Sequence, residues 1–424
     1  MEGLLAATLP VAGLARTGVG ALRRAARRAG ATGPLVDEPL DVGRIAAAFS
    51  SDRLLRLAGA PWAGFAPHSG FFPTADGWLR THANYPHHRV RLLRLLDLPD
   101  DATRDDLAAH LATSSAQQVE DGAARAGAIA VRVRTEDEWR ASGPGRAAGV
   151  GPLVATTARG DAGSGAEGGR GRTALGPDHR RPADRLLAGV RVLDLTRVIA
   201  GPVGTRTLAL LGADVLRIDP PEPAEIPAQH LDTGQGKRSA LLDLRDPAQH
   251  ARAQELLDAA DVLVTGYRPG AVEAHGLQVP PGAVHARVSA WGDDGPWAPR
   301  RGFDSIVQAA CGIAMLESAD GATPGALPAQ ALDHATGYLL AAGVVDALTA
   351  CTRDGAGRDV AVSLARTATW LLDAPGRDPA HPPAALPPSG TTVTHGDVTT
   401  ARPALPVDDY PAPAHPWGSD PARW

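Results

Sequence analysis

Asp333 is the side chain in this sequence of 424 residues whose placement most invites chemistry. It stands just before the apolar run from Ala335 to Ala350, in the first turn of a predicted helix, where the helix dipole favours an ionised carboxylate. A carboxylate there can act as a nucleophile that splits one difficult acyl transfer into easier steps. It can equally serve only to cap the helix, which is the commoner role, and spacing alone does not choose. A second feature is the turn RVIAGPVGT, Arg197 to Thr205, which follows an apolar strand-like run and opens a helix. Its lack of GxGxxG removes the main support for a nicotinamide or flavin dinucleotide, while helix N-termini still offer N–H groups to anions such as phosphate. Backbone amides near Arg197, Ala200 and Pro202 would face such a ligand. The sequence holds one lysine, Lys237, against many arginines. His82, His87 and His88 cluster near an Asp-Gly-Trp segment and could line a substrate pocket, a surface role being the expected one.

Composition narrows the function classes. The formal net charge is -5 and no long basic run exists to follow a nucleic-acid backbone, so nucleic acid is not an expected partner. The run 335–350 is broken by Asp346, and no stretch of about 18 uninterrupted apolar residues occurs, so no membrane span is expected. Near the N-terminus the arginines follow the apolar stretch, the reverse of a secretory signal. Cys311 and Cys351 belong to no CxxC or Cys/His cluster, which argues against a disulfide framework and a zinc site. The expected setting is cytoplasmic, with no metal.

Organisation follows from periodicity and turn residues. Residues 1–155 read as a small α+β domain: a helix near 12–29, a strand at Gly77–Thr81, a helix from about Arg104 to Ala124, an apolar run Ala128 to Val133, and a capping box at Thr135 and Glu138. Residues 156–184, rich in Gly, Arg and Asp, read as a flexible linker. From 185 to 372 largely apolar strand candidates (189–195, 213–219, 239–244, 261–264 and 284–290) alternate with helices. This predicts the α/β class: an open, mostly parallel, Rossmann-like sheet as the large domain. Residues 373–424 are proline-dense and read as a surface tail.

Five blocks then resemble one family in order and spacing: LAGVRVLDLTRVIAGPVGTRTLALLGADVLRIDPP, GQGKRSALLDLRDP, VTGYRPGAV, SAWGDDGPWAPRRGFDSIVQAACG and QALDHATGYLLAAGVVDAL, continuing into GAGRDVAVSL. They resemble the class III coenzyme A transferases of the CaiB/BaiF type. The region before 155 is similar to the family's smaller domain, which normally follows the large one, so the resemblance implies a permuted order. It implies that coenzyme A, as acyl-CoA, and a small carboxylic acid are the substrates. Asp333 would attack the thioester, giving a mixed anhydride and then an aspartyl-CoA thioester. Lys237 and Arg238 match a segment that contacts the coenzyme's nucleotide, while Arg268 and Arg301 match basic positions near the coenzyme. A homodimer is the implied assembly. Leu332 and His334 depart from the usual neighbours of the aspartate, and the glycine loop has no match beyond Ser69-Gly70. Two alternatives remain. One is an α-methylacyl-CoA racemase, which typically has a histidine where Phe303 stands and here would need the His334 ring to reach the substrate, and the other is a non-catalytic CoA-binding protein.

Overall fold

The computed structural model describes residues 3–62, 64–159, 175–176, 178–267, 270 and 273–424. In chain order the elements that matter for the site begin with α1 (Val11–Arg28) and α2 (Val42–Phe49). A hairpin follows, β1 (Gly70–Thr74) and β2 (Gly77–Thr81), then α3 (Pro86–Leu95), α4 (Arg104–Ala112), α5 (Ala116–Ala126) and β3 (Ala130–Arg132). The large sheet takes β4 (Ala155–Ala158), β5 (Arg191–Leu195), β6 (Asp214–Asp219), β7 (Lys237–Leu241), β8 (Val262–Thr265), β9 (Val284–Ser289) and β10 (Arg358–Ser363). Between these strands run α6 (Ala200–Leu210), α7 (Pro227–Thr233), α8 (Pro247–Asp258), α9 (Asp304–Ala310) and α10 (Ala331–Asp354), and α11 (Leu364–Asp373) follows β10. A hairpin of β11 (Thr392–His395) and β12 (Val398–Ala401) comes near the end.

The fold is mixed α/β. Its large sheet has the order β7-β6-β5-β8-β9-β10-β4, parallel throughout except for the antiparallel edge strand β4. From β5 the chain winds outward through β6 and β7, then crosses back to β8 on the other side of β5. The strand order therefore reverses between β5 and β8, leaving a crevice beyond their carboxyl ends. The five apolar runs read from sequence each became a strand of this sheet, because strands covered on both faces are buried along their length. β7 begins at Lys237, two residues before the expected start, and ends at Leu241, three residues before the expected end. The expected linker is corrected at its start: Thr156 to Ala158 lie in β4 and pair with β10. Residues 160–174 and 177 of that stretch lie outside the described residues.

Two packing units can be told apart by their cores. β1, β2 and β3 form an antiparallel sheet covered by α3, α4 and α5 through Phe72, Leu79, Leu92, Leu107, Leu111 and Ala123. α1, by contrast, shares the main core with α10 and the large sheet through Leu14, Val19, Leu22, Ala335 and Leu339. α10 is long and apolar enough to cross a membrane, and it is mostly buried inside the protein. Glycines bring α6 and α10 into backbone contact: a Cβ on Gly337 would lie 2.5 Å from the Ala200 carbonyl oxygen, and one on Gly204 3.1 Å from that of Gly337. This seam brings the first turn of each helix to the same place.

The residues after α11 are more than a surface tail. β11 and β12 join a four-stranded sheet with the short pairs Arg56–Leu57 and Ala60–Pro61. Further on, the Trp417 indole donates to Asp219 at 3.0 Å and the Asp420 carboxylate accepts from the Ser239 amide at 2.7 Å.

Candidate active site

Asp333 is the third residue of α10 and is 6% exposed. It lines a small cleft of about 60 Å³ with Phe303, His82, Asn84, Val198, Ile199, Gln330 and residues of α7. The helix N-terminus does not serve Asp333 as the sequence suggested. Asp304, the first residue of α9, reaches that terminus and accepts from the Asp333 backbone amide at 2.9 Å, and the Leu332 amide also points to it. Gln308 donates to the other oxygen of Asp304 and accepts from the Leu327 amide at 3.0 Å. Burial and the Asp304 charge push the Asp333 carboxyl well above the usual carboxylate range, because removal from water disfavours the charged form and a like charge adds to the effect. Burial also raises Asp304, which its amide donors hold to about 6. The expectation that the dipole favours ionised Asp333 is therefore reversed, since its donors are spent on a neighbour 29 residues earlier in the chain.

A larger crevice of about 320 Å³ opens beside this cleft and shares Val198 and Phe303 with it. It lies at the carboxyl ends of β5, β6, β8 and β9, lined by Arg197, Pro220, Gly266, Tyr267 and Ser289, with Tyr85, His87 and His88 contributed by the small sheet unit. Three arginines line it, Arg197, Arg300 and Arg301. Arg197 is held by Asp219 at 2.8 Å; Arg300 pairs with Glu120 at 3.4 Å; Arg301 donates to the Gly127 carbonyl at 3.3 Å. Behind Arg197 a buried network fixes Asp219: Arg217 pairs with Asp219 at 2.8 Å and with Glu225 at 2.6 Å, and Tyr85 donates to Glu225 at 2.5 Å. Val198, between the two cavities, has φ +73°, a left-handed conformation that costs energy in a β-branched residue and is typical of functional turns. The crevice can take a polyanionic, phosphate-bearing ligand, and the cleft beyond it presents a carboxylate.

The histidines are neutral parts of these walls. His82 stacks on Phe303 with centroids 3.8 Å apart, and burial lowers its imidazole to about 3. Burial and the neighbouring imidazoles lower His88 to about 2. The surface role expected for His82, His87 and His88 is corrected: all three line the cavities. His334 turns away from the cleft and lies against Phe49 of α2, centroids 5.3 Å apart, lowered by burial to about 3.

The family model for CoA-transferase family III matches residues 187–394, a span that contains the large crevice's strands, Asp304 and Asp333. This region is similar to CoA-transferase family III. Among curated relatives, an acetyl-coenzyme A transferase of Hypoxylon pulicicidum is 34% identical over 218 residues, covering 47% of this chain and 36% of that protein. A probable fatty acyl-CoA transferase of Mycobacterium tuberculosis is 32% identical over 204 residues, covering 44% of this chain and 52% of that protein. The chain thus spans from about a third to about half the length of these relatives. Among solved structures, a CAIB/BAIF family protein from Brucella suis aligns at 26% identity over 44% of this chain and 55% of that one, with a TM-score of 0.41.

Within the matched region the fold gathers some of the residues singled out from sequence and disperses others. Asp333, Arg197 and Arg301 line the joined cavities. Ala200 opens α6 between them, buried, with its carbonyl against Gly337. Lys237 and Arg238 are corrected. They sit at the amino end of β7, the end of the sheet remote from the crevice, and neither lines either cavity. The Lys237 ammonium is buried and donates to Asp194, Thr205 and the Pro202 carbonyl at 3.2, 2.9 and 3.2 Å, while burial lowers it to about 8. Arg238 pairs with Asp214 at 2.7 Å. Arg268 lies outside the described residues. Sequence reasoning missed Asp304 and Arg300. Both stand in a block already singled out, Asp304 next to Phe303 and Arg300 next to Arg301, yet only the fold shows which carboxylate meets the α10 terminus.

Proposed function

We propose that this chain transfers coenzyme A between an acyl-CoA and a free carboxylic acid, with Asp333 as the covalent carrier. The observation that carries this reading is a buried, uncapped carboxylate in a cleft that opens into an arginine-lined crevice at the switch point of the sheet. The similarity of residues 187–394 to CoA-transferase family III supports it. The large sheet would act as a Rossmann-like coenzyme-binding domain and the small sheet unit as a cover over the acyl end. Arg197, Arg300 and Arg301 would hold the coenzyme phosphates by charge-assisted hydrogen bonds.

In the proposed cycle a carboxylate oxygen of Asp333 attacks the thioester carbon and CoA leaves as the thiolate, giving a mixed anhydride. The thiolate then attacks the Asp333 carbonyl carbon, forming aspartyl-CoA and releasing the first acid as its carboxylate. The acceptor carboxylate attacks aspartyl-CoA, and the thiolate leaves again. It returns to the acceptor's carbonyl, which frees Asp333 and yields the new thioester. Each step exchanges one acyl bond for another, with no net proton change. Binding of acyl-CoA would close the cleft to water, which protects the anhydride from hydrolysis.

The test is to supply acetyl-CoA and a set of free acids and to separate the CoA products by chromatography. Transfer by the wild type, reduced about 10⁴-fold or more in Asp333→Asn, supports the reading; a protein that binds CoA and transfers it to no acid contradicts it. A second reading, proton exchange at the α-carbon, draws on one observation: His82 stacks on Phe303 and lines the Asp333 cleft. Uptake of deuterium from solvent into acyl-CoA without transfer would favour it.

A further inference from the structure

We infer that the acyl end of this site selects a short monocarboxylic acid bearing a hydrogen-bond donor, hydroxyl or ammonium, and rejects dicarboxylic acids. The inference rests on the transferase reading above and adds the substrate class.

Among the described residues that line the cleft there is no arginine or lysine. Two further carboxylates stand there instead, Asp52 and Asp232. Asp232 is 5% exposed; its Oδ2 accepts from the Ser51 hydroxyl at 2.6 Å, while its Oδ1 has no donor. Asp52 Oδ1 and Gln229 Oε1 also lack one. Of the residues that line the cleft, three thus carry an unpaired acceptor and His82 an unpaired ring nitrogen, Nδ1, and buried acceptors are favourable only when a donor reaches them. A substrate's hydroxyl or ammonium supplies such a donor, and an ammonium also meets opposite charge. A second substrate carboxylate would meet the like charge of Asp232, whose counter-ion Arg206 does not line the cleft, which costs about 100-fold in use. Burial pushes Asp232 only to about 6, so it is charged at pH 8. Size limits the chain as well: about 60 Å³ holds on the order of five water-sized groups.

Three-carbon acids isolate these effects at constant length. With acetyl-CoA as donor at pH 8, kcat/KM is measured for propionate, 3-hydroxypropionate, β-alanine and malonate, and the two donor-bearing acids report which donor is preferred. The expected result is that at least one of them exceeds propionate about tenfold and malonate about 100-fold. Asp232→Asn is expected to shrink both margins, while the wild-type comparison stands by itself if that variant fails to fold. Malonate used as well as the donor-bearing acids, or propionate equal to both, overturns the inference and leaves the transferase reading intact. Transfer to no acid at all, with CoA bound, overturns that reading and this one with it.

Discussion

Asp333 and Asp304 compete for one helix N-terminus, and Asp304 wins because it reaches the Asp333 amide at 2.9 Å. This raises Asp333, so the proposed nucleophile is partly protonated where an ordinary aspartate would be fully ionised. Only the ionised form attacks, hence the rate should climb with pH through the raised Asp333 pKa. Asp304→Asn removes the like charge and should move that ascending limb to lower pH, as read from a pH profile of kcat/KM; an unmoved limb would show that Asp304 does not set the Asp333 charge. Stability follows the opposite sign. A carboxyl whose folded pKa exceeds its unfolded value binds its proton more tightly when folded, so ionising it costs stability as pH rises from the unfolded pKa through the folded one. Asp333→Asn should therefore raise the Tm at pH 8 while removing activity, and a lowered Tm would contradict the assignment. Asp333 was singled out by the family-like blocks around it, since the apolar run behind it marks a helix N-terminus that a mere cap would suit equally well. Its protonation was not legible in the sequence, because the deciding residue belongs to another helix.

At the scale of elements, the apolar runs were sufficient to read five of the seven strands of the large sheet, leaving out β10 and the edge strand β4, and the capping box at Thr135 and Glu138 formed as its spacing predicts. The expected helix from Arg104 to Ala124 instead breaks into α4 and α5. Asp76, from the β1–β2 turn, accepts from the Ala116 amide at 2.8 Å and the Ser115 hydroxyl at 2.7 Å, a tertiary cap that local propensity does not reveal. The α6–α10 seam depends on missing side chains. Gly337→Ala would press on the Ala200 carbonyl and should destabilise by about 1–3 kcal/mol, measured by urea unfolding, and slow transfer by displacing the first turn of α6. A different element contact fixes the small sheet unit: Glu120 of α5 pairs with Arg134 through both oxygens at 2.7 Å, nearly out of solvent. Although burial opposes it, Arg134 holds Glu120 below its usual range. This contribution is present above the unfolded glutamate pKa and is lost as pH falls through the depressed folded value. Glu120→Ala should cost about 3–5 kcal/mol by leaving Arg134 buried and unpaired; a loss below about 1 kcal/mol in the same unfolding assay would sink that account.

Across the whole molecule, sequence order and spatial order part company. α1 packs with α10 in the main core, although its residues lie far earlier in the chain, and no local pattern announces such a long-range pairing. The C-terminal segment likewise returns to the back of the site. Trp417 donates to Asp219 at 3.0 Å, and Asp219 in turn holds Arg197. Removing residues 411–424 should therefore loosen Arg197 and raise the KM for acyl-CoA about tenfold, the scale of one charge-assisted hydrogen bond, and an unchanged KM would show that the segment only covers surface. All of these features serve one claim, that Asp333 carries the acyl and CoA groups in turn. The most direct test is to incubate the protein with acyl-CoA, quench, digest, and weigh the peptide that contains Asp333. A CoA-sized mass increase on that peptide, absent in Asp333→Asn, is the predicted result; full turnover with no adduct on it would contradict the claim.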